Sequence, residues 1–161
     1  MNSILLSAKK TPELSIVIPV YNEPDNIPLT IKSIKHHIKT KYEIIVVYDT
    51  KKDTTIPVLK KLQKNSNNLH TIQNSIKKGP SGAIRTGIIN SKGRLILVTM
   101  ADLCDDLTQV EQFIKKLGKK EGVVCPSRYT KGGKQELDAT FKVWLPKAAG
   151  RLLKLLTGIG T

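Results

Sequence analysis

The sequence predicts an α/β protein built on a doubly wound, mostly parallel sheet with helices on both faces, a Rossmann-like architecture, and three observations predict it. Short continuous runs of Ile and Val recur along the chain, the mark of strands buried on both faces rather than one. Polar turns follow these runs, and apolar residues then return at helical spacing. The strand-then-helix alternation is sustained, which favours parallel strands joined by right-handed crossovers.

Taken in order, Leu14-Ser-Ile-Val-Ile-Pro-Val20 is the first strand and reads as central. Tyr21-Asn-Glu-Pro-Asp25 breaks it, and Ile27, Ile31, Ile34 and Ile38 mark a helix from about Asp25 to Lys39. Glu43 to Tyr48 is the second strand; Asp53 is a candidate N-cap for a helix carrying Ile56, Leu59 and Leu62. Asn65-Ser-Asn-Asn68 ends that helix, and Leu69 to Gln73 is a weaker third strand. Gly79-Pro-Ser-Gly82 opens a helix with Ala83, Ile84, Gly87 and Ile88 on one face. Arg94 to Thr99 is the fourth strand, and Leu107, Val110, Ile114 and Leu117 form a helical stripe closed by Gly118. Gly122-Val-Val-Cys125 is expected as a fifth strand. Phe141 to Thr157 reads as a last helix, with Trp144, Ala148, Leu152 and Leu155 in one stripe and Lys147, Arg151 and Lys154 beside it.

A chain of 161 residues allows one domain, 1–161, with a sizeable core. No run reaches the length of a spanning helix, and the N-terminal apolar patch is too short for a secretory signal, so a cytoplasmic protein is expected. Two cysteines, Cys104 and Cys125, make neither a disulfide framework nor a zinc site. The 27 Lys and Arg against 13 acids give a formal charge of +14, which implies an anionic partner. Aromatic residues are only 4%, too few for stacking platforms, so nucleic acid is disfavoured against phosphate-bearing small molecules and lipid headgroups. The basic stripe of the last helix suits an anionic membrane surface; packing of its apolar stripe on the domain is the alternative.

The loops after the first, second and fourth strands carry Glu23; Asp49 and Asp53; and Asp102, Asp105 and Asp106. In a parallel sheet these loops share one edge, where open α/β sheets bind ligands. The three aspartates of Asp102-Leu-Cys-Asp-Asp106 repel one another unless a cation or helix amides compensate them. Asp106, followed by Leu107-Thr-Gln109, is placed to cap the next helix. Asp102 lies too early for that and, at a strand end, is a candidate ligand for Mg2+ or Mn2+. Asp105 could be a further ligand, a base or a solvated carboxylate. The helix start at Gly79, Ser81 and Gly82, with Lys77, Lys78 and Arg85 around it, is a candidate anion site, although its spacing is neither a Walker loop nor a dinucleotide fingerprint.

These motifs, in order, resemble family 2 glycosyltransferases of the GT-A fold, within them the dolichol-phosphate mannosyltransferase-like and polyprenyl-phosphate sugar transferases. The residues that carry the resemblance are Leu14 to Glu23, Glu43 to Asp49 with Asp53 and Thr55, Gly79-Pro-Ser-Gly-Ala83, Met100 to Asp106, and Ser127-Arg-Tyr with Gly132-Gly133. The resemblance implies an inverting transfer of a sugar from a GDP- or UDP-linked donor to an acceptor such as a polyprenyl phosphate at the cytoplasmic membrane face. It implies that Pro19, Tyr21 and Glu23 line the nucleoside pocket, that Asp49 contacts the base, that Asp102 is the second aspartate of a metal-binding Asp-X-Asp, and that Arg128 and Lys142 serve the acceptor phosphate. An acceptor phosphate already anionic at neutral pH needs no strong base, in keeping with the lack of an obvious catalytic His.

The chain departs from the family pattern at three places. Met100 stands where the first aspartate of Asp-X-Asp is expected, so that either Asp105 substitutes or metal binding is weak. Tyr48 and Thr50 replace the commoner Asp and Gly, and Pro146 stands where a small polar residue is expected. Members of the family continue past the last helix, so the chain resembles the donor-binding N-terminal portion of a longer enzyme. A noncatalytic nucleotide-sugar-binding or assembly module is the alternative function, with a basic nucleic-acid-binding domain a third reading.

Overall fold

The computed structural model describes residues 11–126. The chain divides into two units, Met1–Lys120 and Glu121–Thr161; the expected helix at 141–157, with Arg128 and Lys142, lies outside the described residues. Within the first unit, four strands, β1 (Leu14–Val20), β2 (Tyr42–Tyr48), β3 (Leu69–Gln73) and β4 (Leu95–Val98), form a sheet of order β3-β2-β1-β4. All pairings are parallel, with Leu14 opposite Tyr42 on one side and Leu95 on the other. The helices are α1 (Asn26–His37), α2 (Thr55–Gln63), α3 (Pro80–Ile89) and α4 (Val110–Leu117).

Alternation along the strands sorts two cores. One face sends Ile16, Ile18, Ile44 and Val46 against Ile27, Ile31, Ile34 and Leu59 of α1 and α2, with Leu107 and Val110 joining them. The other face sends Val17, Ile45 and Val47 against Ala83 of α3. Fully burying an aliphatic side chain contributes roughly 1.5–3 kcal/mol, so the aliphatic run of β1 and β2 dominates cohesion. Pro28 and Pro57 fall in the first turns of α1 and α2, where the missing N–H has no intrahelical acceptor to lose.

α3 differs from its expected packing. Its buried residues are Gly82, Ala83, Thr86 and Gly87, while Ile88 is exposed. The cause is close approach: a Cβ on Gly87 would lie 2.3 Å from Val17 Cγ1, so small residues face the sheet and the larger ones turn away. Ile96 and Val98 on β4 are also exposed.

Two further expectations are corrected. Gly122-Val-Val-Cys125 forms no strand; Val123 is 88% exposed and Val124 only partly buried, so the pair lacks the burial on both faces that a central strand would give. Asp53 precedes the N-cap of α2, which is Thr54, although its Oδ1 still accepts the Thr55 N–H at 2.8 Å. Gly118, at φ 56°, ends α4 as expected. Among the described residues no helix is long and apolar enough to cross a membrane.

Candidate active site

The strand order reverses at β1: the chain moves outward through β2 and β3, then returns to β4 on the other side. Loops leaving adjacent strands at such a point diverge to opposite faces and open a crevice at the carboxyl edge. A cleft of about 470 Å³ lies there, lined by Pro19, Tyr21 and Glu23 from β1, Asp49 after β2, Gly79 at α3, and Asp102 after β4. Six of the residues singled out from sequence thus meet in one place. Ser81, Gly82 and Asp105 do not line it. Val20, Pro80, Ala83, Met100 and Ala101 complete the walls; all five lie within the motifs that carry the family resemblance, but only Met100 stands at a position given a role in the site.

Each wall is fixed by named bonds. Asp49 Oδ2 accepts the Gly79 N–H at 2.7 Å and Oδ1 accepts from Asn74 Nδ2 at 2.7 Å, so β2 is tied to the start of α3. Gly79 has φ 105°, a conformation that disfavours any side chain, and Pro80 begins the helix behind it. A carboxylate oxygen has two acceptor positions, so these bonds leave Asp49 able to receive a ligand donor as well.

The acidic stretch separates into three roles. Asp106 caps the turn before α4, accepting the Thr108 N–H at 3.0 Å, the Thr108 hydroxyl and Gln109 Nε2 at 2.7 Å. The Thr108 hydroxyl, with the Gln109 amide adding to it, holds its carboxyl below the usual range. Asp105 turns inward: its Oδ2 accepts the Thr99 hydroxyl at 2.7 Å and the Met100 N–H at 3.1 Å, which fastens the loop to the end of β4. Asp102 faces the cleft, its Oδ1 accepting the Cys104 N–H at 3.1 Å. Its charge pushes the exposed Cys104 thiol up, keeping it protonated. Leu103, between them, sits at φ 62°, one of two non-glycine residues at positive φ among the described residues; the other is Asn22, in the loop after β1.

The donor set bears on whether a divalent cation fits. Among the described residues no three His, Cys, Asp or Glu side chains gather into a metal-binding group. Mg2+ and Mn2+ accept one or two protein carboxylates when substrate phosphates and waters supply the rest. Asp102, on the cleft wall, can supply such a carboxylate; Asp105 does not line the cleft, and its Oδ2 is engaged by Thr99 and Met100.

The sequence pattern of glycosyl transferase family 2 matches residues 15–158. The chain belongs to that family. This family 2 chain is 34% identical over 134 residues to the dolichyl-phosphate beta-glucosyltransferase of Mus musculus, covering 73% of the chain and 41% of the relative. It is 29% identical over 138 residues to the dolichol-phosphate mannosyltransferase of Pyrococcus furiosus, covering 85% and 39%. The chain therefore spans about two-fifths of the length of these curated relatives. A mannosyltransferase from Pyrobaculum calidifontis, solved with GDP-Man and Mn2+, shares the fold with a TM-score of 0.59 at 21% identity, covering 69% of this chain and 34% of that one. Glucosyl-3-phosphoglycerate synthase from Mycobacterium tuberculosis, solved with Mn2+, UDP and its product, gives a TM-score of 0.54 at 19% identity, covering 70% and 42%. The α/β architecture is thus the GT-A fold.

Proposed function

We propose that this family 2 chain binds a GDP- or UDP-linked sugar in the cleft and supports its inverting transfer to a polyprenyl or dolichyl phosphate. The observation that carries the reading is the convergence of Tyr21, Glu23, Asp49 and Asp102 from three separate strand ends on one cleft. The dolichyl-phosphate acceptors named for the Mus musculus and Pyrococcus furiosus relatives support the lipid-phosphate half.

In this reading the cleft divides by chemistry. Pro19, Val20 and Ala83 offer apolar surface to a nucleobase, and Asp49 accepts from the amino or imide donors at its edge. Glu23 and Tyr21 stand where ribose hydroxyls need acceptors and a wall. Asp102 holds the divalent cation, which when bound offsets the charge of the departing diphosphate. A phosphate acceptor is its own nucleophile near neutral pH, so the chain needs only to orient it. Arg128 and Lys142, outside the described residues, are proposed as that acceptor's cationic partners. The stripe of Lys147, Arg151 and Lys154, also outside them, is proposed to hold the protein peripherally at the cytoplasmic face of an anionic membrane.

Calorimetry with UDP- and GDP-sugars in the presence of Mn2+ tests the donor half: a saturable, metal-dependent heat with one nucleotide is expected, and no heat with any nucleotide refutes it. Transfer of labelled sugar to dolichyl phosphate tests the acceptor half. A second reading, a nucleotide-sugar-binding module without transfer, is favoured by Met100, a thioether on the cleft wall where the family pattern has a carboxylate. Binding without any transfer by the longest available form of the protein would select it.

A further inference from the structure

We propose that Asp53 is a positioning residue for the nucleotide cleft, locking together the loops that follow β1 and β2. This inference rests on the nucleotide-binding reading of the cleft and assigns part of its construction to a side chain that does not line it.

Asp53 is 3% exposed, which is rare for a carboxylate without a cation beside it. Its Oδ1 accepts two backbone N–H groups, that of Thr55 at 2.8 Å and, across 31 residues, that of Asn22 at 3.2 Å. The return bonds are equally specific. Asn22 Oδ1 accepts the Thr54 N–H at 3.1 Å and the Thr54 hydroxyl at 3.3 Å, and the Glu23 N–H donates to Thr55 Oγ1 at 2.9 Å. Residues 22–23 and 53–55 therefore exchange bonds in both directions, as two strands would, although neither segment is a strand.

The clamp has a geometric consequence. Asn22 has φ 55°, a left-handed conformation that few non-glycine residues adopt, asparagine more readily than most, and here the bonds to 53–55 hold it there. It stands between Tyr21 and Glu23, both of which line the cleft. The sharp reversal at Asn22 is what sends the neighbours on either side toward the ligand, and Asp53 is the group that holds it. The bland alternative is that Asp53 serves only to start α2 through Thr55. That role does not explain why its second bond goes to the left-handed residue of the other loop. It also leaves unexplained the other oxygen, Oδ2, which is buried and finds no hydrogen-bond partner among the described residues. Burying an oxygen that way is unfavourable, so the carboxylate is placed by what Oδ1 holds rather than by its own solvation.

The test uses the 161-residue chain and two readouts, taken well below the melting temperature of each variant: calorimetry with GDP and UDP plus Mn2+, and backbone hydrogen exchange. Asp53→Ala is expected to weaken nucleotide binding by about tenfold, the scale of loss when binding groups shift by a fraction of an ångström. It is expected to speed exchange at the Asn22 and Glu23 amides while the interior of α2 stays protected. Asp53→Asn keeps an oxygen for both N–H groups and restores affinity and protection. Thr55→Val, of the same shape, releases only the Glu23 N–H and gives an intermediate loss, which keeps the test available should Asp53→Ala not fold. Unaltered affinity in Asp53→Ala and Thr55→Val, with Asn22 and Glu23 still protected, overturns the proposal. If the parent chain binds neither nucleotide, the nucleotide reading fails by itself, and exchange at Asn22 and Glu23 still decides whether Asp53 holds the loop.

Discussion

Asp49 Oδ2 and the backbone N–H of Gly79 lie 2.7 Å apart, so one carboxylate on the cleft wall also fixes the start of the helix opposite. Asp49→Ala releases the Gly79 N–H and one of the two bonds of Asn74 Nδ2, and a stability loss of about 1 kcal/mol is expected from these part-buried bonds. Asp49→Asn is expected to do nearly as badly. Both neighbours are donors, and the amide turns an N–H toward one of them whichever way it is set. Denaturant melts of the two variants check this; an Asn variant as stable as the parent contradicts it.

Asp102 and Asp105, three residues apart, should give opposite phenotypes. Asp102→Ala loses a single exposed bond to Cys104, so its melting temperature should stay near the parent's while Mn2+-dependent nucleotide affinity falls. Asp105→Ala loses the Thr99 and Met100 bonds and should melt earlier, by about 1–3 kcal/mol in stability. Thermal melts and calorimetry on both variants separate the roles; equal behaviour would refute the division.

Acid sensitivity should concentrate at Glu111. Its carboxylate accepts the Thr40 and Lys39 N–H groups at 2.9 and 2.8 Å and the Thr40 hydroxyl at 3.0 Å, tying α4 to the turn after α1. The Thr40 N–H leads the groups that hold its carboxyl below the ordinary glutamate range. A depressed folded value means the unfolded chain takes the proton first. The stabilisation is therefore full above the unfolded value of about 4.3 and disappears as pH falls through the lower folded value. Glu111→Gln should be less stable than the parent by about 1 kcal/mol at pH 7. That gap should narrow as pH falls below the unfolded value, and a gap independent of pH would refute the assignment.

Gly87→Ala is expected to cost about 1–3 kcal/mol, because the new methyl would meet Val17 at 2.3 Å in a core without slack. Gly82→Ala brings a methyl within 1.7 Å of the Lys77 carbonyl oxygen, which is backbone and cannot rotate away. It should therefore displace the Gly79 turn and weaken nucleotide binding as well as the fold. Melting and nucleotide titration of the pair distinguish a helix-packing glycine from one that also shapes the cleft.

Most of the sheet was legible because buried parallel strands leave a continuous aliphatic signal. β1 and β3 begin and end where the apolar runs do, β2 starts one residue earlier at Tyr42, and β4 loses its two end residues, Arg94 and Thr99. The helix at Pro80 was legible in position and in part in facing, since Ala83 and Gly87 are buried as expected while Ile88 is not. Apolarity selects Ile84 and Ile88, whereas the sheet selects the thin side made by Gly82, Ala83 and Gly87. Glu23, Asp49 and Asp102 could be gathered from sequence because parallel topology brings strand ends to one edge, whereas Pro19 and Tyr21 came from the family resemblance and Gly79 from its place at a helix start. The direction in which Asp105 turns could not, since it depends on a threonine hydroxyl six residues back. Nor could the exchange of bonds between residues 22–23 and 53–55, which no local pattern announces.

The cleft draws its walls from residues 19 to 102, so it exists only once β4 has docked on β1. Ligand occupancy and completion of the sheet are therefore one equilibrium seen from two sides. A nucleotide held at a hundred times its dissociation constant would add about 2.7 kcal/mol to the stability of the folded chain. Screening nucleotides and cations by the rise in Tm thus lets the fold itself report whether the cleft holds any of them.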